Sequence, residues 1–196
     1  MIHPSTTLQL ISKEKGFGVV ATAFIPKGTI TWVQDQLDIV LKPDEVSNMD
    51  SAYHDLIETY AFRNNLGQHV LCWDHAKYVN HSFNSNCLST PYDFEVAVRD
   101  IHPGEELTDD YGYLNISEPF EAIDENTERK VVYPDDLLHY HESWDQALAN
   151  AIQLYERVNQ PLVSLLPART KALLQEIVTG NYKMDSILNC YYDSGK

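Results

Sequence analysis

The sequence predicts a mainly β fold with α-helical additions: small sheets, one helical insert and a helical C-terminal extension. Three observations predict it. From about residue 7 to residue 114 the apolar runs are short and broken by turn signals such as KEKGFG, IPKG, NNLGQ and HPGEE. Residues 43–60, PDEVSNMDSAYHDLIETY, interrupt that pattern with apolar residues at helical spacing. Beyond residue 134 the helical spacing returns.

Taken in order, TLQLI alternates apolar and polar residues and predicts a strand, and VVATAFI predicts its partner across a glycine turn. Pro26 and Gly28 mark a tight turn before a further strand pair, TITWVQ and LDIVL. Pro43 is a suitable first helical residue, and Val46, Met49, Tyr53, Leu56, Ile57 and Tyr60 form the helical stripe of the insert. AFRN, HVLCWD, CLSTPYDFEVAVRD and ELTDDYGYL then predict short strands. Residues 115–130 are polar and mostly acidic. A helix is predicted over 134–158, with a break near Ser143 and a stripe of Leu137, Leu138, Trp144, Leu148, Ile152 and Tyr155. A second runs over 167–179 and is closed by Gly180, and MDSILNCYY follows. Short strands with frequent turns exclude a βαβ sheet.

The chain has 196 residues, 14 Lys plus Arg and 29 Asp plus Glu, for a net charge of −15. Such a surface disfavours nucleic acid and attracts basic partners, although acidity also serves solubility alone. The three cysteines, Cys72, Cys87 and Cys190, form no CxxC pair, which argues against a disulfide framework. No signal-peptide pattern opens the chain, and no apolar run approaches the ~18–20 residues of a membrane helix. An intracellular protein, cytoplasmic or nuclear, is expected.

Three stretches concentrate chemistry-bearing residues. Gly16 and Gly18 flank Phe17, which suits close backbone approach to a ligand or a plain hairpin turn. Residues 78–87, YVNHSFNSNC, gather Asn80, His81, Ser82, Asn84, Ser85 and Asn86, which can bond backbone in irregular structure or a ligand heterocycle. In ELTDDYGY, Asp109 and Asp110 precede Tyr111, and Tyr113 follows Gly112. Adjacent carboxylates are poor strand material.

The order G-F-G, I-P-K-G, N-H-S-x-x-x-N-C, G-E-E-L-T-x-D-Y-G resembles the SET-domain protein lysine methyltransferases over about residues 6–114. The resemblance implies a β-clip fold of small twisted sheets with a helical insert, and a pseudoknot where the N-H-S and D-Y-G segments meet. It divides the chain into a catalytic domain, 1–114, with the insert at about 43–60, and an acidic linker with a helical extension, 115–196. It implies S-adenosylmethionine as cofactor, held by Gly16, Phe17, Gly18, Asn80, His81 and Tyr111. Tyr111 and Tyr60 are the implied catalytic tyrosines, and Tyr113 and Asp109 the implied walls of the lysine channel. The implied partner is a basic, lysine-containing protein or peptide, a histone being the family's familiar substrate. Neither nucleic acid nor membrane is implied as a partner. A catalytically weak or inactive β-clip binding module is the alternative, and the C-terminal helices are a candidate homodimer surface.

The sequence departs from the family in two places. Many relatives carry a cysteine-rich zinc segment after the catalytic tyrosine, with a fourth cysteine in N-H-S-C. Here Phe83 takes that position and residues 118–136 hold no cysteine, so no zinc is expected. His139 and His141 read as a solvated helix face, not a metal pair. The helices after residue 132 are then expected to pack on the catalytic domain, with Phe120 or a neighbour covering the cofactor. The second departure is Asp109, where many relatives have Tyr or Phe. It is expected at the channel edge.

Overall fold

A computed structural model describes residues 1–193 of the chain; the last three residues of the predicted extension lie outside them. Twelve strands and four α-helices are described. The strands are β1 (Thr6–Ser12), β2 (Gly16–Ala21), β3 (Ile30–Val33), β4 (Ile39–Leu41), β5 (Ala61–Arg63), β6 (His69–Leu71), β7 (Asn80–His81), β8 (Cys87–Ser89), β9 (Phe94–Ala97), β10 (Glu106–Asp109), β11 (Phe120–Glu121) and β12 (Val131–Val132). The helices are α1 (Pro43–Ser47), α2 (His54–Tyr60), α3 (Asp136–Ile152) and α4 (Ala168–Val178). The strands form four small sheets in the orders β1-β2-β10-β7, β3-β9-β8, β4-β6-β5 and β11-β12. This is the mainly β architecture with helical additions that the sequence predicts.

The predicted pair TITWVQ and LDIVL is not a pair. β3 runs antiparallel to β9 and β4 to β6, so the two lie in different sheets. Residues 34–38, polar except for exposed Leu37, let the chain leave one sheet for the next. The insert is helical but divided into α1, a 3₁₀ turn at Ser51–Tyr53 and α2. Its apolar stripe is not a core face: Ile57 is buried, whereas Tyr53 and Leu56 are exposed.

The segments around Asn80 and Tyr111 meet through the parallel pairing of β7 with β10, in which Thr108 lies opposite Asn80 and Asp109 opposite His81. A parallel pair needs a long crossover, here supplied by β8, β9 and their loops. The predicted strand 106–114 stops at Asp109, and Tyr111–Tyr113 form a 3₁₀ turn. The Asp110 carboxylate accepts from Gly112 N–H at 3.0 Å, which turns the chain out of the sheet.

α3 is unbroken at Ser143, whose hydroxyl bonds the Tyr140 carbonyl at 2.8 Å, and it ends at Ile152, short of the predicted 158. Leu138 faces outward and is exposed, while Leu137, Trp144, Leu148 and Ile152 are buried. Together with Leu174 and Ile177 of α4 they share one apolar core with Ile30, Val33, Leu88, Phe94 and Val96 of the β3-β9-β8 sheet. Each such side chain contributes roughly 1.5–3 kcal/mol by leaving water. The helices after residue 132 are therefore built into the β-domain's own core. The I-P-K-G turn shows the closeness: Gly28 has φ +91°, and a Cβ there would stand 2.8 Å from the Ala151 carbonyl oxygen. No described helix is long and apolar enough to cross a membrane.

Candidate active site

The G-F-G segment opens β2. Gly16 adopts φ +76° and closes the turn from β1. Gly18 is needed for approach: a Cβ there would meet Ile11 Cγ1 at 2.6 Å and Asn80 Nδ2 at 2.8 Å. The Asn80 amide donates to the Phe17 carbonyl (3.0 Å) and to Glu106 Oε1 (2.7 Å), so one side chain ties β2, β7 and β10 together. Asn86, fully buried, donates to Glu106 O (2.7 Å) and accepts from Thr108 N–H (2.9 Å). The polar run 78–87 thus spends two of its amides on backbone at this junction.

His81 and Tyr111 meet at the end of that pairing. His81 Nδ1 accepts from the Tyr111 backbone N–H at 3.1 Å. The ring proton therefore sits on Nε2, which is buried and meets no hydrogen-bond partner among the described residues. Burial, with the Arg129 and Lys15 charges adding to it, lowers the His81 pKa to about 4, so the ring is neutral. Phe83, Tyr111 and Phe120 surround it at centroid distances of 4.5, 5.4 and 5.7 Å. The Tyr111 hydroxyl donates to the Val79 carbonyl at 2.7 Å, and burial pushes the phenol's pKa up.

Tyr111 also lines a cavity of about 140 Å³, whose wall includes none of His81, Phe83 and Phe120. Trp32, Tyr60, Cys72, Glu95 and Asp109 contribute to the same wall. Tyr60, from the last turn of α2, packs edge-on against Tyr78 at 5.3 Å, and Phe17 meets the same ring at 6.5 Å. Asp109 is only 5% exposed, at the cavity wall and not in open solvent. Tyr113 is the correction to the expected channel. It is buried against Trp144 (5.4 Å), its hydroxyl reaches the Cys87 carbonyl at 3.4 Å, and it lines a smaller neighbouring cavity instead. The 3₁₀ turn rotates it away from Tyr111 and into the helical core.

The segment after Tyr111 closes over this junction through charge. Glu125 accepts from the Ser82 hydroxyl (2.8 Å) and Phe83 N–H (3.1 Å). Arg129 pairs with both Asp110 and Asp136, and its guanidinium lies 4.5 Å from the Phe83 ring centroid and 4.3 Å from that of Tyr140. The two carboxylates hold Arg129 charged, yet burial outweighs its help to Asp110, whose carboxyl is raised above its ordinary value. Phe83, where relatives have a zinc-binding cysteine, thus sits under a guanidinium. Among the described residues no cluster of His, Cys, Asp or Glu is arranged to hold a metal ion.

Glu95, Trp32 and Arg129 were not singled out in the sequence, and Cys72 only as one of three cysteines. Glu95 stands between buried Phe94 and Val96 in an alternating strand, so it reads as the solvent face. That face turns out to border the cavity. Arg129 carried one usable signal, a lone arginine in an acidic stretch.

The family comparison agrees with this construction. The model of the SET domain family matches residues 16–112, from the G-F-G segment to Gly112. No curated protein matches the chain in sequence. Among solved structures, a candidate histone methyltransferase of Plasmodium falciparum is similar over 56% of this chain and 95% of its own, at 17% identity and a TM-score of 0.41. The family match begins and ends on the two segments that β2, β7 and β10 bring together, and with that the chain is placed among the SET-domain proteins.

Proposed function

We propose that this protein is an S-adenosylmethionine-dependent methyltransferase that acts on a lysine side chain of a basic protein. One observation carries the reading: Tyr111 belongs both to an aromatic cluster around His81 and to the wall of the cavity. The cluster holds His81, Phe83 and Phe120, and the cavity wall holds Tyr60 and Asp109. A SET methyltransferase needs that arrangement, with the cofactor on one face and the acceptor amine entering from the other.

The residues present fit the cofactor. The unpartnered His81 Nε2–H offers a donor inside an aromatic enclosure, and Phe17, Asn80 and Phe120 border the same face. When bound, the cofactor supplies a methyl group activated on a sulfonium. The chain's own part is positioning. Tyr111 is held by its hydroxyl and its backbone N–H at once, so its ring is fixed where the cluster meets the cavity. The cavity strips water from the incoming ammonium and lowers its pKa from the ordinary ~10.4, which favours the neutral nucleophile. Net charge of −15 steers a basic polypeptide to the enzyme.

The test is incubation of the purified protein with methyl-labelled S-adenosylmethionine and a panel of basic proteins, core histones included. Label should enter lysine, and Tyr111→Phe should lower the rate by roughly tenfold or more by freeing the ring from Val79. Cofactor binding by calorimetry with no transfer to any protein would instead support a binding module.

A further inference from the structure

The cavity wall holds a second feature that the tyrosines do not explain. Glu95 of β9 and Asp109 of β10 both line it, two carboxyls in a pocket otherwise bounded by Trp32, Tyr60, Cys72 and Tyr111. Asp109 is 5% exposed, and its carboxyl takes hydrogen bonds from the Tyr113 hydroxyl and from Glu95, while its Oδ1 meets no donor of ideal geometry among the described residues. A buried carboxylate oxygen without a donor costs free energy unless something else supplies the donor. The Tyr113 hydroxyl has one proton to divide between that carboxyl and the Cys87 carbonyl, 3.4 Å away. A lysine ammonium, with three N–H donors and a positive charge, is the ligand that would satisfy it.

We propose that Asp109 is a catalytic residue that receives the substrate ammonium and takes its proton, with Glu95 as the positioning residue that keeps the pair's one resident proton. The inference rests on the reading of this cavity as the entry for the acceptor amine. In the step, one N–H bond of the ammonium breaks, its electron pair stays on nitrogen as the nucleophilic lone pair, and an O–H bond forms on the Asp109 carboxylate. The proton then leaves to water through the mouth of the cavity.

The electrostatics agree with this division. Burial raises the Asp109 carboxyl to about 6, against the lowering influence of Tyr113 and Glu95, while Asp110 adds to the rise. Burial first, and then the Asp109 charge, push Glu95 well above the ordinary carboxyl range. Near neutral pH the pair therefore carries one proton, on Glu95, and Asp109 is the open acceptor. A value near 6 narrows the gap to an ammonium at ~10.4, which desolvation lowers and the Asp109 charge itself raises. The groups facing Asp109 are Glu95, Cys87, the Tyr111 and Tyr113 phenols and Asp110. Arg63, His69, Lys77 and Glu58 stand elsewhere on the cavity wall.

The isosteric variants Asp109→Asn and Glu95→Gln test it in two assays. The first uses n-butylammonium as probe, without cofactor, followed by NMR. Wild type should bind more tightly as pH rises through about 6. Asp109→Asn should bind about tenfold more weakly, with that pH dependence gone. Equal binding by wild type and Asp109→Asn overturns the proposal, whether or not the protein proves to be a methyltransferase. The second is the pH–rate profile of methyl transfer to the basic-protein panel. Asp109→Asn should lower kcat about a hundredfold and abolish the acid limb, while Glu95→Gln should keep the limb. A limb that survives in Asp109→Asn, or is lost only in Glu95→Gln, overturns the assignment and leaves the methyltransferase reading standing. If no transfer occurs with wild type, the butylammonium titration decides alone.

Discussion

Arg129→Ala should unfold this protein more readily than any substitution of an ordinary surface arginine. The guanidinium is the shared partner of Asp110 and Asp136, whose side chains are 1% and 4% exposed. It also lies against Phe83, Tyr140 and Trp144. Removing it leaves two buried carboxylates facing each other. Breaking a buried pair by deleting one partner costs about 3–5 kcal/mol. With an m-value near 2 kcal/mol per molar urea, a loss of about 4 kcal/mol lowers the urea midpoint by roughly 2 M. The Asp110 carboxyl is already raised by burial and rises further without the cation, so protonation relieves the clash. The loss should therefore shrink as pH falls from 7.5 to 5. Tryptophan fluorescence in urea at both pH values reads this directly, because Trp144 sits 5.8 Å from the guanidinium. Adding Asp110→Asn and Asp136→Asn to Arg129→Met should restore much of the midpoint. A loss under 1 kcal/mol at pH 7.5, or one that does not change at pH 5, refutes the reasoning.

Gly18→Ala should cost about 1–3 kcal/mol and weaken S-adenosylmethionine binding, because its Cβ would displace the Asn80 amide, 2.8 Å away, from the Phe17 carbonyl. Calorimetry measures it, and unchanged affinity counts against a role for the G-F-G strand in cofactor binding. His81 sets a pH dependence of known sign. Its folded pKa is lowered to about 4, so below about 6.5 the unfolded chain binds more protons and stability falls as pH drops towards 4. The shift corresponds to roughly 3 kcal/mol at the acid end of that window. The raised carboxyls Asp109 and Glu95 act in the opposite direction, gaining stability as pH falls, so the difference between wild type and His81→Asn isolates the histidine. An equally steep decline in His81→Asn would remove the histidine from the account.

Local pattern was enough for much of this protein. Alternation and turn residues located β1, β5 and β6 to within a few residues and the start of β10, and helical spacing located the insert and both C-terminal helices. Such signals come from neighbours along the chain. The motif series pointed to Tyr111, Tyr60, Asn80 and His81, and the fold brings them to one junction. Where local rules failed, a distant contact had overruled them. Tyr113 was drawn into the core by Trp144, and Leu138 was left outside it. Glu95, polar in an alternating strand, reads as solvent-facing, because period two tells which residues share a face and not what lies across from it. Asp109, a charge in a poor strand, acquires its environment only when β7, β9 and Tyr111 close around it. Composition and spacing carry the residue types and the short-range geometry. Burial, pairing and proton affinity depend on which groups the chain brings together from far along its length, and that was decided when the sheets and the C-terminal helices packed into one core.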